Sequence, residues 1–343
     1  MNLSPKFIST VQNVFLDDGR PFLEALPELI TEASARWGLT NVEPAKNLSY
    51  NFVAFANRGD IQVVLKIGLP NRETISEMAA LRLFHGEGAC RLLDYDEEKY
   101  WMLLERLQPG LMLSTLEDDE EATHIAAEVM QKIWRPMENV ILSKAKDLND
   151  SNKRLSPALP GTCARGKCAR GASVGRGERS LRVTYDSFIQ LSNWFDGLKR
   201  LRARFGGGTG PLPEKLVERV EQSAKDFFLE NHRPVLMHGD FHHFNILSSE
   251  RGWLIIDPKG VIGPACYEVG PLLMNPWDDL LSKDYRQMTK RRIDILHERL
   301  GFERERIREW GVAHAILSAW WDIEENTVPE YSLAVAEMIA GLY

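Results

Sequence analysis

The chain has 343 residues and a mass of 39.1 kDa, which is enough to bury a large core and to form two lobes. Hydrophobic residues make up 44% and charged residues 27%, as in ordinary globular proteins, and no apolar run approaches the roughly 20 residues that cross a bilayer. Four cysteines are too few for a disulfide scaffold, and the N-terminus lacks the basic and then apolar order of a signal peptide, so we expect a cytoplasmic protein without a membrane partner.

The net charge of -7 is unevenly distributed along the chain. Residues 140–182 carry a local charge of +7, so the rest of the chain carries -14. An acidic body attracts cations and repels nucleic acid, and we therefore expect no nucleic-acid partner.

The first 38 residues predict two helices. Ser4 is a suitable cap, Pro5 suits a first helical position, and Gly19 is the expected stop. A second helix is expected over residues 21–37, closed by Gly38.

The next stretch predicts a small antiparallel sheet with one internal helix. Two short strands flank a turn at 57–60, a helix ends near Gly86, and a hairpin turns at 96–99. Beyond residue 107 the pattern is mainly helical, with short strands expected only around 235–260. The sequence therefore predicts an α+β fold with two lobes, a sheet-containing lobe over 1–107 with N-terminal helices and a larger helical lobe over 108–343.

One segment, at about 140–183, fits neither lobe. It contains the near-repeat Cys-Ala-Arg-Gly at Cys163 and Cys168, is rich in Gly and Arg, and has almost no bulky apolar residues in its second half. Such a composition favours a disordered insertion, because it cannot bury enough surface to offset the loss of chain entropy. A tail that binds RNA or phosphate, or a metal site at the two cysteines, is less favoured, since the spacing is not that of a zinc knuckle.

The chemistry of the chain is concentrated in "VLMHGDFHHFNILSSERGWLIIDPKG", residues 235–260. Asp240 can accept the proton of a hydroxyl group, and Asn245 and Asp257 offer the hard oxygen ligands that suit Mg²⁺. Their order and spacing are typical of the catalytic and metal-binding loops of kinases. A strand at 253–256 would fold Asp257 back over Asn245. The motif therefore predicts phosphoryl transfer from ATP with Mg²⁺.

Such a site also needs a cation on the phosphates of the nucleotide, and Lys66 is the candidate. It interrupts the apolar strand "IQVVLKIG", where an unpaired ammonium would be costly to bury. Glu77 on the following helix is the expected partner, with Glu73 one turn earlier as the reserve. Taken alone, Lys66 would more often be an edge lysine with its head in solvent, but its presence in one chain with the motif at 235–260 favours the buried ion pair.

Two further stretches are candidates for binding the nucleotide. The connector between the lobes, from Glu105 to Leu107, is expected to contact the adenine through its backbone before a turn at 109–110. The loop "KNLSYNF" has no glycine, so the Gly-rich loop of protein kinases is missing, and Ser49 with nearby amides is the candidate for covering the phosphates.

Four segments together resemble one family: "HGDFHHFNIL", "IIDPKGVIG", "CYEVGPLLMNP" and "LSNWFDGLKRLR". They are similar to the aminoglycoside 6-phosphotransferase and hydroxyurea phosphotransferase family, which has the protein-kinase-like fold, and the similarity covers nearly the whole chain except 140–183. The resemblance implies that Asp240 is the catalytic base, that Asn245 and Asp257 hold Mg²⁺, and that Lys66 binds ATP phosphates. It also implies that the acceptor is a hydroxyl of a small cationic or polar compound, with streptomycin and hydroxyurea as the known types, and that the activity confers antibiotic resistance.

Several neighbours of the motif have two interpretations. We expect His238 to be a structural residue that holds the catalytic loop, in preference to a residue that transfers protons. With His242 and His243 it could form a zinc site, but Gly239 and the apolar runs predict a loop instead of a helix. Lys259 is either a phosphate ligand or a solvated lysine.

Further along the chain, Glu268 and Asn275 could contact an acceptor or cap a helix. Tryptophans are core residues by default. Three of them could instead line an acceptor cleft: Trp277, Trp320 and Trp321.

Three other functions remain open on the sequence alone. A kinase of this fold could act on another metabolite, such as choline, homoserine or methylthioribose. A pseudokinase could bind nucleotide without turnover, although the base, the metal ligands and the lysine are all present. A metal-dependent hydrolase would require the histidines to converge. The sequence does not indicate the oligomeric state.

Overall fold

A computed structural model of the chain describes residues 3–137, 183–229, 233–276 and 285–342. Trp277 and nearly all of the predicted insertion, with Cys163 and Cys168, lie outside the described residues.

The first lobe is an antiparallel sheet with three helices. The elements of this lobe in chain order are helix α1 (Pro5–Phe15), helix α2 (Gly19–Trp37), strands β1 (Leu39–Pro44), β2 (Phe52–Arg58) and β3 (Ile61–Ile67), helix α3 (Arg72–Phe84), and strands β4 (Leu92–Asp96) and β5 (Trp101–Glu105). The strand order in the sheet is β1-β2-β3-β5-β4.

The start of α1 is as predicted, because Ser4 Oγ accepts the N–H of Phe7 at 3.2 Å. The predicted stop at Gly19 is wrong, since α1 ends at Phe15 and Gly19 begins α2. A Cβ at Gly19 would lie 2.7 Å from the carbonyl oxygen of Val11, so glycine is needed where the two helices meet closely.

The second lobe is mainly helical and carries two small sheets. The elements of this lobe are β6 (Pro109–Met112), α4 (Asp119–Ile133), β7 (Arg135–Pro136), β8 (Ile189–Gln190), α5 (Leu191–Arg204), α6 (Glu214–Leu229), β9 (Val235–Met237), β10 (Ile246–Ser249), β11 (Gly252–Ile255), β12 (Val261–Gly263), α7 (Val269–Leu273), α8 (Tyr285–Leu300), α9 (Arg304–Glu324) and α10 (Glu330–Ala340). In one sheet β6 pairs with β10 and β10 with β11, and the other sheet has the order β7-β9-β12-β8.

The turn predicted at 109–110 is wrong. Residues 109–112 form β6, which pairs antiparallel with β10 through Met112 and Leu247. The short connector between the lobes therefore enters the second lobe as a strand, and it is held there by the same β10 that follows Asn245.

The buried residues form two cores. One lies between α1, α2 and one face of the first sheet, and it includes Phe7, Leu26 and Phe52. The other fills the second lobe, and it also contains Met78 and Phe84 of α3. Helix α3 thus packs into the core of the second lobe, although in the chain it lies between β3 and β4, two strands of the first lobe. The α+β two-lobed fold is as predicted, while the boundary at residue 107 stays a prediction.

Candidate active site

A β-hairpin brings the two candidate metal ligands together. Strands β10 and β11 pair antiparallel with Ile246 opposite Ile255, and the N–H of Ile256 donates to the carbonyl of Asn245 at 3.0 Å. Asn245 and Asp257 therefore lie at the same end of the hairpin. Asp257 has φ +56°, in the left-handed region that Asp and Asn tolerate better than most residues.

The loop before β10 presents Asp240 beside these ligands. The side-chain amide of Asn245 donates to the carbonyl of Asp240 at 3.0 Å, which fixes the amide with its oxygen as the remaining acceptor. His242 Nε2 lies 3.6 Å from Asp240 Oδ1. Burial would raise the pKa of Asp240, but the nearby His242 and the charge of Lys259 outweigh it and hold the pKa below its ordinary value. Asp240 is therefore ionised at neutral pH.

His238 is a structural histidine in this loop. Its Nδ1 accepts the N–H of Asp240 at 3.1 Å, so Nε2 carries the proton that is donated to the carbonyl of Ile256 at 2.9 Å. The ring is fully buried, and burial lowers its pKa to about 4. Because both nitrogens are used, His238 has none left for a metal ion, which argues against a hydrolase with converging histidines.

Glu268 holds the same loop from the other side. Its Oε2 accepts the N–H of His238 at 2.9 Å, and its Oε1 accepts the N–H of Gly239 at 2.7 Å. The side chain is completely buried, and burial raises its pKa to about 8. Glu268 thus shapes the backbone that leads into Asp240, and it neither faces an acceptor nor caps the following helix.

Lys66 is buried in the expected ion pair with Glu77. Its Nζ lies 2.7 Å from both carboxylate oxygens of Glu77, and it also contacts Oδ1 of Asp257. Burial alone would lower the pKa of Lys66, but the charges of Asp257 and Glu77 outweigh it and raise the pKa. The solvated edge position considered for Lys66 is therefore wrong, and the ammonium lies between the two lobes next to a candidate metal ligand.

The reserve partner Glu73 pairs with a different lysine. Lys259 Nζ lies 2.9 Å from Glu73 Oε2 and 3.0 Å from the hydroxyl of Tyr50, which also donates to Glu73. The side chain of Lys259 is 20% exposed, so it is not a solvated turn lysine. No local pattern singled out Tyr50, because its partners are 23 and 209 residues away in the chain.

The predicted connector is partly engaged within the protein. The carboxylate of Glu105 accepts the N–H of Arg91 at 2.9 Å and pairs with Arg251, and the backbone N–H of Glu105 donates to the carbonyl of Arg91 at 2.9 Å. The contact of Glu105 to Leu107 with adenine stays a prediction. Leu107 is buried. Ser49 is exposed in the loop between β1 and β2, and its hydroxyl accepts the N–H of Tyr50 at 2.7 Å.

Two further sequence candidates are interior residues. His243 is 2% exposed and neither ring nitrogen has a hydrogen-bond partner in the described part of the chain, so it lies under the loop and not at a cleft surface. The side chain of Asn275 donates to the carbonyl of Pro271 at 2.9 Å, which makes it part of the end of α7.

Aromatic residues lie behind the catalytic loop. Trp320 is buried, whereas Trp321 is partly exposed and packs edge-on against Trp194 with 5.5 Å between the ring centroids. A Cβ on Gly239 would lie 3.2 Å from Trp194, so this pair borders the residue next to Asp240. Of the candidate tryptophans in the described ranges, Trp321 is the more exposed one, and its contact with an acceptor stays a prediction.

The residues at the hairpin fit Mg²⁺. The amide oxygen of Asn245 and the carboxylate of Asp257 are hard donors, and the Asp257 side chain is 46% exposed. Among the residues described in the structure, no group of three or more His, Cys, Asp or Glu side chains is arranged to hold a metal ion, and none of the helices is long and apolar enough to span a membrane.

The sequence model of the family described as aminoglycoside/hydroxyurea antibiotic resistance kinase matches residues 36–155 and 183–326. The chain belongs to this family. The stretch between the two matched segments lies within the insertion predicted from composition. The prediction of a phosphotransferase with a protein-kinase-like fold is confirmed.

Curated members of this resistance kinase family align along most of their length. Streptomycin 6-kinase of Streptomyces griseus is 28% identical over 329 residues, covering 94% of this chain and 92% of the relative. Hydroxyurea phosphotransferase of Kitasatospora aureofaciens is 29% identical over 329 residues, covering 94% and 81%. Among solved structures, choline kinase LicA from Streptococcus pneumoniae has a TM-score of 0.54 at 14% identity, over 92% of this chain and 98% of that chain, which shows the common fold.

Proposed function

We propose that this family member transfers the γ-phosphate of ATP to a hydroxyl group of a streptomycin-like aminoglycoside. The observation that carries the proposal is the meeting of Asp240, Asn245 and Asp257 on one loop and hairpin, next to the buried Lys66–Glu77 pair. The similarity to streptomycin 6-kinase over nearly the whole chain supports the acceptor class.

Each residue then has a role in phosphoryl transfer. The ionised Asp240 accepts a hydrogen bond from the acceptor hydroxyl, orients it in line with the γ-phosphate and takes its proton. Lys66, oriented by Glu77, contacts the phosphates of the nucleotide and stabilises their charge. Mg²⁺ bound at Asn245 and Asp257 would neutralise further phosphate charge. The backbone from Glu105 to Leu107 would contact the adenine.

The acceptor side fits a cation. The chain has a net charge of -7, so a positively charged acceptor is attracted to it. Trp321 and Trp194, both partly exposed and beside Gly239, are the candidate aromatic residues for contact with a flat guanidinium group. Streptomycin carries such groups. A cytoplasmic location, where ATP is available, is part of this proposal.

Hydroxyurea is the second candidate acceptor, because a hydroxyurea phosphotransferase is similar over 94% of this chain. It is much smaller than streptomycin, and it would use the same base and the same phosphate contacts. The experiment below distinguishes both candidate acceptors from two other functions, a kinase for another metabolite and a pseudokinase.

The test is acceptor-dependent release of ADP with Mg·ATP. Streptomycin, other aminoglycosides, hydroxyurea, choline and small amino alcohols form the acceptor panel. Asp240→Asn is expected to lower turnover by about 10²–10⁴-fold without weakening nucleotide binding. Asp226→Asn on the exposed face of α6 is the matched control. Turnover with choline alone would favour a metabolite kinase, and nucleotide binding without any turnover would favour a pseudokinase.

A further inference from the structure

The loop of residues 45–51, between β1 and β2, is named here the covering loop. In protein kinases the loop at this position covers the nucleotide phosphates and is rich in glycine, which lets the backbone approach them closely. The covering loop has no glycine. Its geometry must therefore be set in some other way, and Tyr50 provides an anchor.

Tyr50 is bound by two charged groups at once. Its hydroxyl donates to Glu73 Oε2 and lies 3.0 Å from Lys259 Nζ, while Lys259 Nζ is 2.9 Å from the same Glu73 oxygen. The ammonium of Lys259 also lies 5.4 Å from the centroid of the Tyr50 ring. Charge-assisted hydrogen bonds of this kind are stronger than neutral ones, and the ring adds a cation–π contact to Lys259.

The two charged partners belong to elements that hold the candidate active site. Glu73 lies one turn before Glu77 on the same face of α3, and Glu77 binds Lys66. Lys259 follows Asp257 by two residues, and its N–H donates to the carbonyl of His238 at 2.8 Å. The three side chains therefore connect the covering loop to both the phosphate lysine and the metal hairpin.

The base of this connection is tightly packed. Ser76 Oγ donates to the carbonyl of Gly260 at 2.6 Å and accepts the N–H of Ile189 at 3.2 Å. Gly260 has φ +66°, and a Cβ there would lie 2.5 Å from the carbonyl oxygen of Ser76. Lys259 and Glu73 are thus held in fixed relation by the backbone, and Tyr50 is the member that comes from the loop.

We infer that Tyr50, Glu73 and Lys259 form a latch that fixes the covering loop above the phosphates of ATP. The inference rests on the proposed function, because it assigns these residues to the nucleotide of that reaction. They are positioning residues: the latch restricts the loop before ATP arrives, so less loop entropy is lost on binding. In this chain the latch holds the covering loop through a side chain, where protein kinases rely on a glycine-rich backbone.

The test compares nucleotides with and without phosphates in Tyr50→Phe, which keeps the ring and removes the hydroxyl. The Kd for Mg·AMP-PNP, measured by calorimetry, is expected to rise about tenfold, while the Kd for adenosine stays within twofold. The KM for ATP should rise in parallel with kcat changing less than threefold. Glu73→Gln should behave alike, and the double variant should bind Mg·AMP-PNP no more weakly than the weaker single variant.

Tyr331→Phe is the matched control, because its hydroxyl also forms a hydrogen bond, to the carbonyl of Met274 at 2.6 Å, away from the nucleotide. It should lower thermal stability and leave both nucleotide affinities unchanged. Equal Mg·AMP-PNP binding by Tyr50→Phe and wild type would overturn the latch. An equal loss for adenosine would do the same, since it would indicate a purely structural role.

The two proposals fail in different ways. A wild-type protein that binds Mg·AMP-PNP with the predicted latch dependence, but phosphorylates no acceptor, would overturn the proposed function and support the latch. A wild-type protein that binds no Mg·AMP-PNP would overturn both.

Discussion

The carboxylate of Glu268 accepts the backbone N–H of Gly239 at 2.7 Å, immediately before Asp240 in the chain. It accepts the N–H of His238 with its other oxygen, so one buried side chain sets two successive peptide groups. Gly239 has φ +88° and a Cβ there would lie 2.2 Å from the side chain of Val261, so the loop is confined by packing as well as by hydrogen bonds. The direction of Asp240 is therefore set by atoms that would never touch a substrate.

Glu268→Ala is expected to lose stability and activity together. It leaves two buried N–H groups without acceptors, at about 1–3 kcal/mol for each group. Glu268→Gln keeps one good acceptor and should lose less stability, while turnover still falls because the loop shifts. Chemical denaturation and initial rates measure both effects, and Glu218→Gln on the exposed face of α6 is the control. Unchanged turnover in a folded Glu268→Ala variant would contradict this role.

Lys66 and Glu77 are expected to act as one unit. Lys66→Met should lower kcat/KM for ATP by about 10²–10³-fold, the range found when an electrostatic stabiliser of the transition state is removed. Glu77→Gln should cost less, because the lysine remains but is less well oriented. The double variant should be no worse than Lys66→Met, since Glu77 works through Lys66. Steady-state kinetics at varied ATP concentration give kcat/KM for the wild type, the two single variants and the double variant. If the loss of kcat/KM in the double variant equals the product of the two single losses, Lys66 and Glu77 have independent roles.

His314 should make stability fall as the solution is acidified. It is 6% exposed, its Nδ1 is bonded to the Tyr267 hydroxyl at 2.9 Å, and burial lowers its pKa to about 4. As the pH falls below the ordinary value of about 6.5, the unfolded chain takes up a proton that the folded protein does not, so stability is lost towards pH 4.

The variant His314→Gln removes this proton uptake. Relative to wild type it should gain about 3 kcal/mol of unfolding free energy between pH 7 and pH 4, measured by denaturant titration. Taking the difference cancels other titrating groups, Glu268 included. A difference that stays constant with pH for His314→Gln would show that the histidine is accessible to protons in the folded state.

Two glycines with similar backbone angles separate conformational strain from steric conflict. Gly59→Ala, at φ +60° with open space around the added Cβ, is expected to cost about 1 kcal/mol. Gly260→Ala, at φ +66°, adds a methyl group 2.5 Å from the carbonyl oxygen of Ser76 and should cost at least about 2 kcal/mol more. Gly260→Ala should also raise the KM for ATP, because it displaces the hairpin end from α3. Equal thermal shifts in the two variants would mean that the segment moves freely.

The sequence predicted the parts of the site whose partners are close in the chain or follow strand rules. The spacing of Asn245 and Asp257 implied a hairpin, and an apolar strand containing Lys66 implied a buried ion pair with the following helix. The latch could not be predicted, because Tyr50 and Lys259 are 209 residues apart. Lys259 was a candidate phosphate ligand, but no local pattern indicated that Tyr50 is its partner. Strand β6 was missed because a proline and a glycine at 109–110 look like a turn until a partner strand is present.

The left-handed backbone of Asp257 limits which residues can replace it. Asparagine and glycine accept φ +56° but carry no charge for a cation, whereas glutamate keeps the charge and is strained in this conformation. In the proposed reaction, two requirements that are separate in physical origin, the backbone angle and a negative charge beside Mg²⁺, therefore select the same amino acid. Almost every substitution at position 257 should therefore impair the enzyme. In a library of variants selected for antibiotic resistance, aspartate at 257 should be retained far more often than the wild-type residues at neighbouring positions of β11.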